Sequence, residues 1–353
     1  HDNRFPNILY QNDGKGRFTD VSEASGTNFA GFGMGVDIGD INHDGWLDIY
    51  ITNLWENTLY LNKGDKTFLD ISAYAGVEDL GMGWGIVLVD VNNDGWQDIY
   101  VANGKVANDL FPHYPNILYQ NDGTLRFRDI SPQSATATFG NSYGLASADL
   151  NQDGKLDLVV ANFGEDEGNE LLRNVGTENN HWVRFSMEGI SANRMGIGTR
   201  IAIKANDVWQ TDEVTAGSSW ASQSSGNLHF GLSKAEMVDS VIVFWPSGII
   251  DTYQKLEANK VYHLLESSTT SISKHMVEPF SIYPNPVRSG NSIQINLKRV
   301  GVLRLYSITG KLKATQKVTR STSTQGVILS TKGLEKGMYV IRINGKSQQL
   351  VIY

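Results

Sequence analysis

Three copies of one acidic loop, Asp-x-Asn-x-Asp-Gly-x-x-Asp, constrain this chain more than any other feature. They run Asp40-Ile41-Asn42-His43-Asp44-Gly45-Trp46-Leu47-Asp48, Asp90-Val91-Asn92-Asn93-Asp94-Gly95-Trp96-Gln97-Asp98 and Asp149-Leu150-Asn151-Gln152-Asp153-Gly154-Lys155-Leu156-Asp157. Oxygen side chains stand at positions 1, 3, 5 and 9, and Gly at position 6 permits a sharp turn. Such a turn can wrap a hard cation such as Ca2+, which takes six to eight oxygens. The expected ligands are Asp40, Asn42, Asp44 and Asp48, then Asp90, Asn92, Asp94 and Asp98, then Asp149, Asn151, Asp153 and Asp157, with the position-7 carbonyls of Trp46, Trp96 and Lys155. A plain Asn/Asp-Gly hairpin would use similar residues without metal. Three copies with every ligand position filled favour about three Ca2+ sites.

The loops are not EF-hands, which place a bidentate Glu at position 12 between two helices. Here position 12 is Ile51, Val101 or Val160. The residues that follow alternate as strands: Asp48-Ile49-Tyr50-Ile51, Asp98-Ile99-Tyr100-Val101 and Asp157-Leu158-Val159-Val160. Each loop is thus expected to join two strands.

A second element repeats with the first. Asn7-Ile8-Leu9-Tyr10-Gln11-Asn12-Asp13-Gly14 returns as Asn57-Thr58-Leu59-Tyr60-Leu61-Asn62-Lys63-Gly64 and as Asn116-Ile117-Leu118-Tyr119-Gln120-Asn121-Asp122-Gly123, with a degraded copy at Asn169–Gly176. A period of this kind, with about four short strands, marks β-propeller blades or a related array. These residues resemble FG-GAP/VCBS repeats, the calcium-bearing blades also found in integrin α-chain propellers. The resemblance covers residues 1–180 and implies a propeller of about seven blades. Only three or four are present and the chain starts at His1 in mid-repeat, so upstream blades are expected to be missing from it.

The chain has 353 residues, which suits two or three domains. It has no cysteine, which excludes disulfides, thiolate metal sites and cysteine nucleophiles. No apolar run approaches the ~18 residues of a membrane-spanning helix. Net charge is −8, unevenly spread: −17 over residues 1–180, −2 over 181–278 and +11 over 279–353. The acidic repeats argue against nucleic acid, which needs clustered Lys and Arg. The basic charges of the tail are scattered along short strands and read as a solvated surface.

Residues 181–266 are expected to form a small all-β module. Strand-like runs include His181–Phe185, Arg200–Lys204, Val241–Trp245 and Val261–Leu265, with turn signals at Gly196-Ile197-Gly198, Gly217-Ser218-Ser219 and Pro246-Ser247-Gly248. The succession Gly196-Ile197-Gly198-Thr199-Arg200, Gly217-Ser218-Ser219-Trp220-Ala221-Ser222-Gln223, His229-Phe230-Gly231-Leu232 and Val241–Gly248 resembles the ASPIC/UnbV domain, which follows such repeats in cartilage acidic proteins. Trp220 stands where that family often has Tyr. His229 reads as a hydrogen-bonded structural histidine.

After a polar linker at 267–278, residues 279–353 suggest a seven-strand, immunoglobulin-like sandwich. Tyr283-Pro284-Asn285-Pro286 near its start and Gly337-Met338-Tyr339 near its end are similar to the type A C-terminal sorting domain of the type IX secretion system of Bacteroidetes. Gln348 and Gln349 occupy the stretch where that family commonly has Lys. The resemblance implies the type IX machinery as a partner, export across the outer membrane and removal of the tail.

The whole reads as an all-β, secreted or surface-attached protein: calcium-binding propeller blades, a small β module and a sandwich. Its expected role is recognition of a carbohydrate or a protein. Trp55, Trp209 and Trp220 could stack on sugars, although core packing is the safer reading for each, given how readily large aromatics bury. The alternative is a calcium-dependent propeller enzyme acting on extracellular polysaccharide. Asp37 and Asp212-Glu213 lie outside the loops but form no recognisable pair in the sequence, and no Ser-His-Asp order or phosphate loop stands out.

Overall fold

The computed structural model describes residues 5–105, 112–164, 168–267, 281–283, 287–296, 301–307, 311–318, 327–343 and 346–352. Most of the linker at 267–278, and Pro284, Asn285 and Pro286, lie outside the described residues. The fold is all-β. Its compact units are His1–Ser186 with Gln210–Met237 and Glu257–His263, and Met187–Trp209 with Val238–Leu256 and Leu264–Tyr353.

The first unit opens with a hairpin of β1 (Tyr10–Asn12) and β2 (Phe18–Asp20). One four-stranded antiparallel sheet follows, of β3 (Gly33–Gly39), β4 (Asp48–Asn53), β5 (Thr58–Asn62) and β6 (Phe68–Asp70). A second repeats it with β7 (Met82–Val89), β8 (Asp98–Gly104), β9 (Ile117–Gln120) and β10 (Arg128–Asp129). The third has three strands among the described residues, β11 (Ser142–Ala148), β12 (Asp157–Asn162) and β13 (Glu170–Leu172). Each acidic loop joins the first strand of its sheet to the second. The sheets succeed one another in a propeller-like series that does not close.

The middle sheet shows why the strand sequences read as they do. Side chains alternate between the faces of a strand. Ile99 and Val101 of β8 pack with Ile41, Tyr50 and Leu59 of the preceding sheet, while Tyr100 and Ala102 pack with Leu145, Leu158 and Val160 of the following one. Both faces are covered, so every residue of β8 is buried and the run is nearly continuously apolar. One-turn helices follow the last strand of each repeat: α1 (Ser22–Ser25), α2 (Ser72–Ala75) and α3 (Ser131–Ser134). In each, the first serine accepts from a backbone N–H at 2.7–2.8 Å, that of Leu9, Leu59 or Leu118.

Beyond the repeats, β14 (His181–Glu188) lies between β17 (Leu228–Ser233) and β20 (Lys260–Leu265). Strand β15 (Arg200–Ala205) follows β14 in sequence and precedes β16 (Val208–Glu213). It pairs with β18 (Met237–Phe244), which neighbours β19 (Ile250–Glu257). Ile201, Ile203, Val241 and Val243 are fully buried there. The tail is a two-sheet sandwich. One sheet orders β21 (Ser281–Tyr283), β22 (Ser292–Asn296) and β25 (Val327–Ser330). The other orders β24 (Leu312–Val318), β23 (Gly301–Ser307), β26 (Gly337–Ile343) and β27 (Lys346–Ile352). Ile293, Ile295, Leu303, Leu305, Ile341 and Ile352 close its core.

A segment that reads as a turn in the sequence does something else. Residues 218–225 run along the open edges of the first strands of the three sheets. Ser219 and Val36 exchange backbone bonds, Ser219 N–H to Val36 at 2.8 Å and Val36 N–H to Ser219 at 3.3 Å. Ser219 Oγ accepts from Ile86 N–H at 3.0 Å. Ser222 Oγ and Ser224 Oγ accept from Leu145 N–H and Ser147 N–H, each at 3.1 Å. Edge-strand N–H groups need partners when covered, and here hydroxyls supply them.

Candidate metal centres

The three acidic loops fold alike. In the first, Asp40 Oδ1 accepts from Asp44 N–H (3.1 Å) and Asp40 Oδ2 from Gly45 N–H (3.0 Å). Asn42 Oδ1 accepts from Asp44 N–H (3.1 Å), and Asp44 Oδ1 from Trp46 N–H (2.8 Å). Asp48 Oδ2 accepts from Ile41 N–H (3.1 Å) and Asp48 Oδ1 from Asn62 N–H (2.7 Å). Asp90, Asn92, Asp94 and Asp98 repeat every one of these bonds. So do Asp149, Asn151, Asp153 and Asp157. Position 4 is left-handed in all three (His43 φ 59°, Asn93 φ 58°, Gln152 φ 61°), as is the glycine two residues on (Gly45 φ 84°, Gly95 φ 99°, Gly154 φ 85°). That pair of conformations turns the chain tightly enough for both ends of the loop to share its carboxylates.

The donor set fits a hard cation. An ionised carboxylate has about four lone-pair sites; the N–H bonds orient the oxygens and leave further lone pairs on them. Asp48 and Asp98 are fully buried, and Asp40, Asp90 and Asp157 nearly so. Burial pushes Asp48 up to about 7. Burial, then the charge of Asp94, pushes Asp90 up to about 8, and burial with the charge of Asp90 raises Asp98 well above the usual carboxylate range. A divalent cation would remove the repulsion among such groups. Among the described residues no three Asp, Glu or His side chains are disposed to hold a metal on their own. The expected set is mixed, since it counts an Asn amide oxygen and a position-7 carbonyl.

The loops also tie the sheets together. Asn121 Nδ2 donates to its own loop at Gln97 O (3.2 Å) and to the preceding loop at Ile41 O (3.1 Å). Asn174 Nδ2 does the same with Leu156 O (3.3 Å) and Val91 O (2.7 Å). Position 4 reaches forward: His43 Nε2 lies 2.9 Å from Gly95 O with its ring stacked on Trp96, and Asn93 Nδ2 donates to Gly154 O at 2.9 Å. His229 Nε2 bonds Asn93 Oδ1 at 2.7 Å. Burial, then the charge of Arg184, lowers His229 to about 3, so its ring is a neutral structural partner.

Sequence reading left Asp37 and Asp212-Glu213 apart. The fold brings them to one cleft of ≈ 110 Å³, with Gln210 and the serines Ser218, Ser224 and Ser225. Asp37 Oδ2 accepts from Leu88 N–H at 2.8 Å, and burial raises its carboxyl to about 6. His43, Gln97 and His229 also line this cleft, and His43 Nδ1, Gln97 Oε1 and His229 Nδ1 are buried without a hydrogen-bond partner among the described residues. The tryptophans divide. Trp220 meets Trp84 (4.9 Å) and Tyr143 (5.5 Å) in an aromatic cluster, Trp55 lies edge-on to Phe32, and Trp209 packs against Ala202, Ile242 and Phe244. All three are half-buried.

The architecture is that of an acidic-loop repeat protein with appended β domains. FG-GAP-like repeats match residues 2–51, 40–101 and 106–160, an ASPIC and UnbV domain matches 189–271, and a secretion system C-terminal sorting domain matches 281–352. The chain therefore contains FG-GAP-like repeats followed by both of these further modules, and its sorting domain marks it for export as a secreted or cell-surface protein. Among the described residues no helix is long and apolar enough to cross a membrane. Curated proteins gave no match. Among solved structures the chain is similar to PorZ, a surface component of the type-IX secretion system of Porphyromonas gingivalis, at 12% identity and a TM-score of 0.25, covering 99% of this chain and 56% of that one. It is also similar to an Agrocybe aegerita lectin specific for non-reducing terminal N-acetylglucosamine, at 15% identity and a TM-score of 0.29, covering 92% and 79%. The chain thus spans little more than half of PorZ, and at these scores neither likeness bears on mechanism.

Proposed function

We propose that this is a calcium-stabilised recognition protein, exported by the type IX machinery, that binds extracellular carbohydrate. The observation that carries the calcium reading is the threefold identity of the loops: the same oxygens, bonded to the same N–H positions, at Asp40–Asp48, Asp90–Asp98 and Asp149–Asp157. Asp, Asn and Asp side chains at positions 1, 3 and 5, the position-7 carbonyl and the position-9 Asp would hold the ion. Its charge would relieve the buried carboxylates and brace the contacts that join neighbouring sheets.

The carbohydrate reading rests on the cleft beside the first and second loops. Asp37, Asp212 and Glu213 can accept from vicinal hydroxyls, and the serine hydroxyls can both donate and accept. Polar groups converging in a concave site are the ordinary means of orienting a polar ligand. Glycan and polysaccharide arrays probed with the full chain, in calcium and in EDTA, test this. Binding lost in EDTA is the expected result. No binding in either buffer by folded protein contradicts the carbohydrate reading.

One observation favours a second reading. Asp37, raised by burial, shares the cleft with Asp212 and Glu213, and glycoside hydrolysis uses one protonated and one ionised carboxyl. Release of reducing ends from a bound polysaccharide, abolished in Asp37→Asn, would move the protein to the enzymes.

A further inference from the structure

The three loops have the same internal geometry but not the same surroundings. In the third, Arg184 of β14 places Nη1 2.8 Å from Asp149 Oδ2, with the side chains 11% and 0% exposed. That oxygen belongs to the position-1 carboxylate and already accepts from Gly154 N–H. In the second loop the equivalent oxygen, Asp90 Oδ2, faces the backbone of Gly231, where a Cβ would come within 2.0 Å. A second difference lies at position 7. Trp46 and Trp96 pack on Gly64 and Gly123, whereas Lys155 carries a cation whose Nζ bonds Gly176 O. In the third loop Trp182 covers Gly154 instead, with the Arg184 guanidinium 5.6 Å from its ring. The third loop is also more open than the second: Asn151 and Asp153 are exposed, while Asn92 and Asp94 are half-buried.

We propose that the third loop is a weaker cation site than the second and that Arg184 sets its affinity. The inference rests on the calcium reading above. A guanidinium on the position-1 carboxylate neutralises a ligand and repels an incoming divalent ion, and Lys155 adds to the repulsion. The pair is incompletely satisfied, since Arg184 Nε is buried without a hydrogen-bond partner among the described residues. Removing Arg184 leaves Asp149 as an uncompensated buried carboxylate, which costs stability in the metal-free chain and which a bound cation would compensate. Arg184 is a positioning residue here, and its effect should track charge rather than shape.

The test is calorimetric titration of the metal-free full chain with CaCl2. The expected result is a site at the third loop about tenfold weaker than that at the second, the size of a single like-charge contact at partial burial. Asp149→Asn should abolish only the weak site and Asp90→Asn a tight one. Arg184→Gln should tighten the weak site about tenfold, while Arg184→Lys, which keeps the charge, leaves it weak. If Arg184→Gln fails to fold, Lys155→Gln carries the test, with an expected gain of about threefold at the same site. Equal affinity at the second and third loops of the parent chain, or a weak site that neither neutral variant tightens, overturns the inference alone, as does equal tightening by Arg184→Lys. No calcium binding by folded protein overturns the calcium reading, and this inference with it.

Discussion

Asn121 donates its side-chain amide to the carbonyl of Ile41, 3.1 Å away and eighty residues earlier, and so fastens the second sheet to the loop of the first. Asn174 repeats the contact with Val91 one sheet later. Asn121 is fully buried. Replacing it with Leu would strand two carbonyls, those of Ile41 and Gln97, at a cost of about 2–3 kcal/mol. The expected outcome is a lower urea midpoint for Asn121→Leu at an unchanged m-value. A change below ~0.5 kcal/mol would show that the contact between sheets is not made in solution.

The serine segment makes a local prediction. Ser222→Ala removes the acceptor for Leu145 N–H. Hydrogen exchange at Leu145 should quicken, with a loss of about 1 kcal/mol in global stability. Exchange at Leu59, whose N–H bonds Ser72 Oγ instead, should quicken by no more than the global loss allows.

Gly231 tests how closely its strand approaches the second loop. A Cβ there would stand 2.0 Å from Asp90 Oδ2 and 2.5 Å from the Asn93 carbonyl carbon. Backbone cannot yield as a flexible side chain can, so Gly231→Ala should cost at least ~2 kcal/mol. It should also weaken calcium at the second loop. A variant of parental stability would contradict the packing.

Glu266 gives a pH dependence. Its Oε2 accepts from the N–H groups of Ile190 and Ser191 at 2.6 Å and Ala192 at 2.8 Å, and Ser247 Oγ donates to Oε1. Burial works to raise this carboxyl, but the four bonds prevail and its pKa is lowered. A depressed carboxylate stabilises the fold above its unfolded pKa, about 4.3, and that contribution is lost as pH falls through the lower folded value. Urea midpoints of the parent chain and Glu266→Gln should therefore differ at pH 7 and converge as pH falls below the folded value. A difference that is independent of pH would contradict this.

Legibility in the sequence followed locality. The loops are each nine residues long, and all but one of the hydrogen bonds described in each are internal, so residue type and spacing sufficed. The strands around them were readable for the same reason, as was the two-sheet tail with its alternating Leu303 and Leu305. What escaped was long-range. Gly217-Ser218-Ser219 has the composition of a turn, and nothing local says that the hydroxyls of Ser219 and, beyond it, Ser222 will replace a missing strand along Ile86 and Leu145. Arg184 sits in a run that alternates properly for a strand, yet Asp149 lies thirty-five positions away. Asp37 and Asp212 meet in a cleft only because β17 and the segment before it return to the first strands of the sheets.

The account turns on calcium in the loops, and thermal unfolding tests it most directly. Each site held at ~100 times its dissociation constant adds about 2.7 kcal/mol if the unfolded chain binds none, which for a unit of this size is roughly 5–10 °C in Tm. The account predicts such a rise when CaCl2 is returned to metal-free protein, and its loss on adding EDTA. An unchanged Tm, after metal removal verified by elemental analysis, would contradict it.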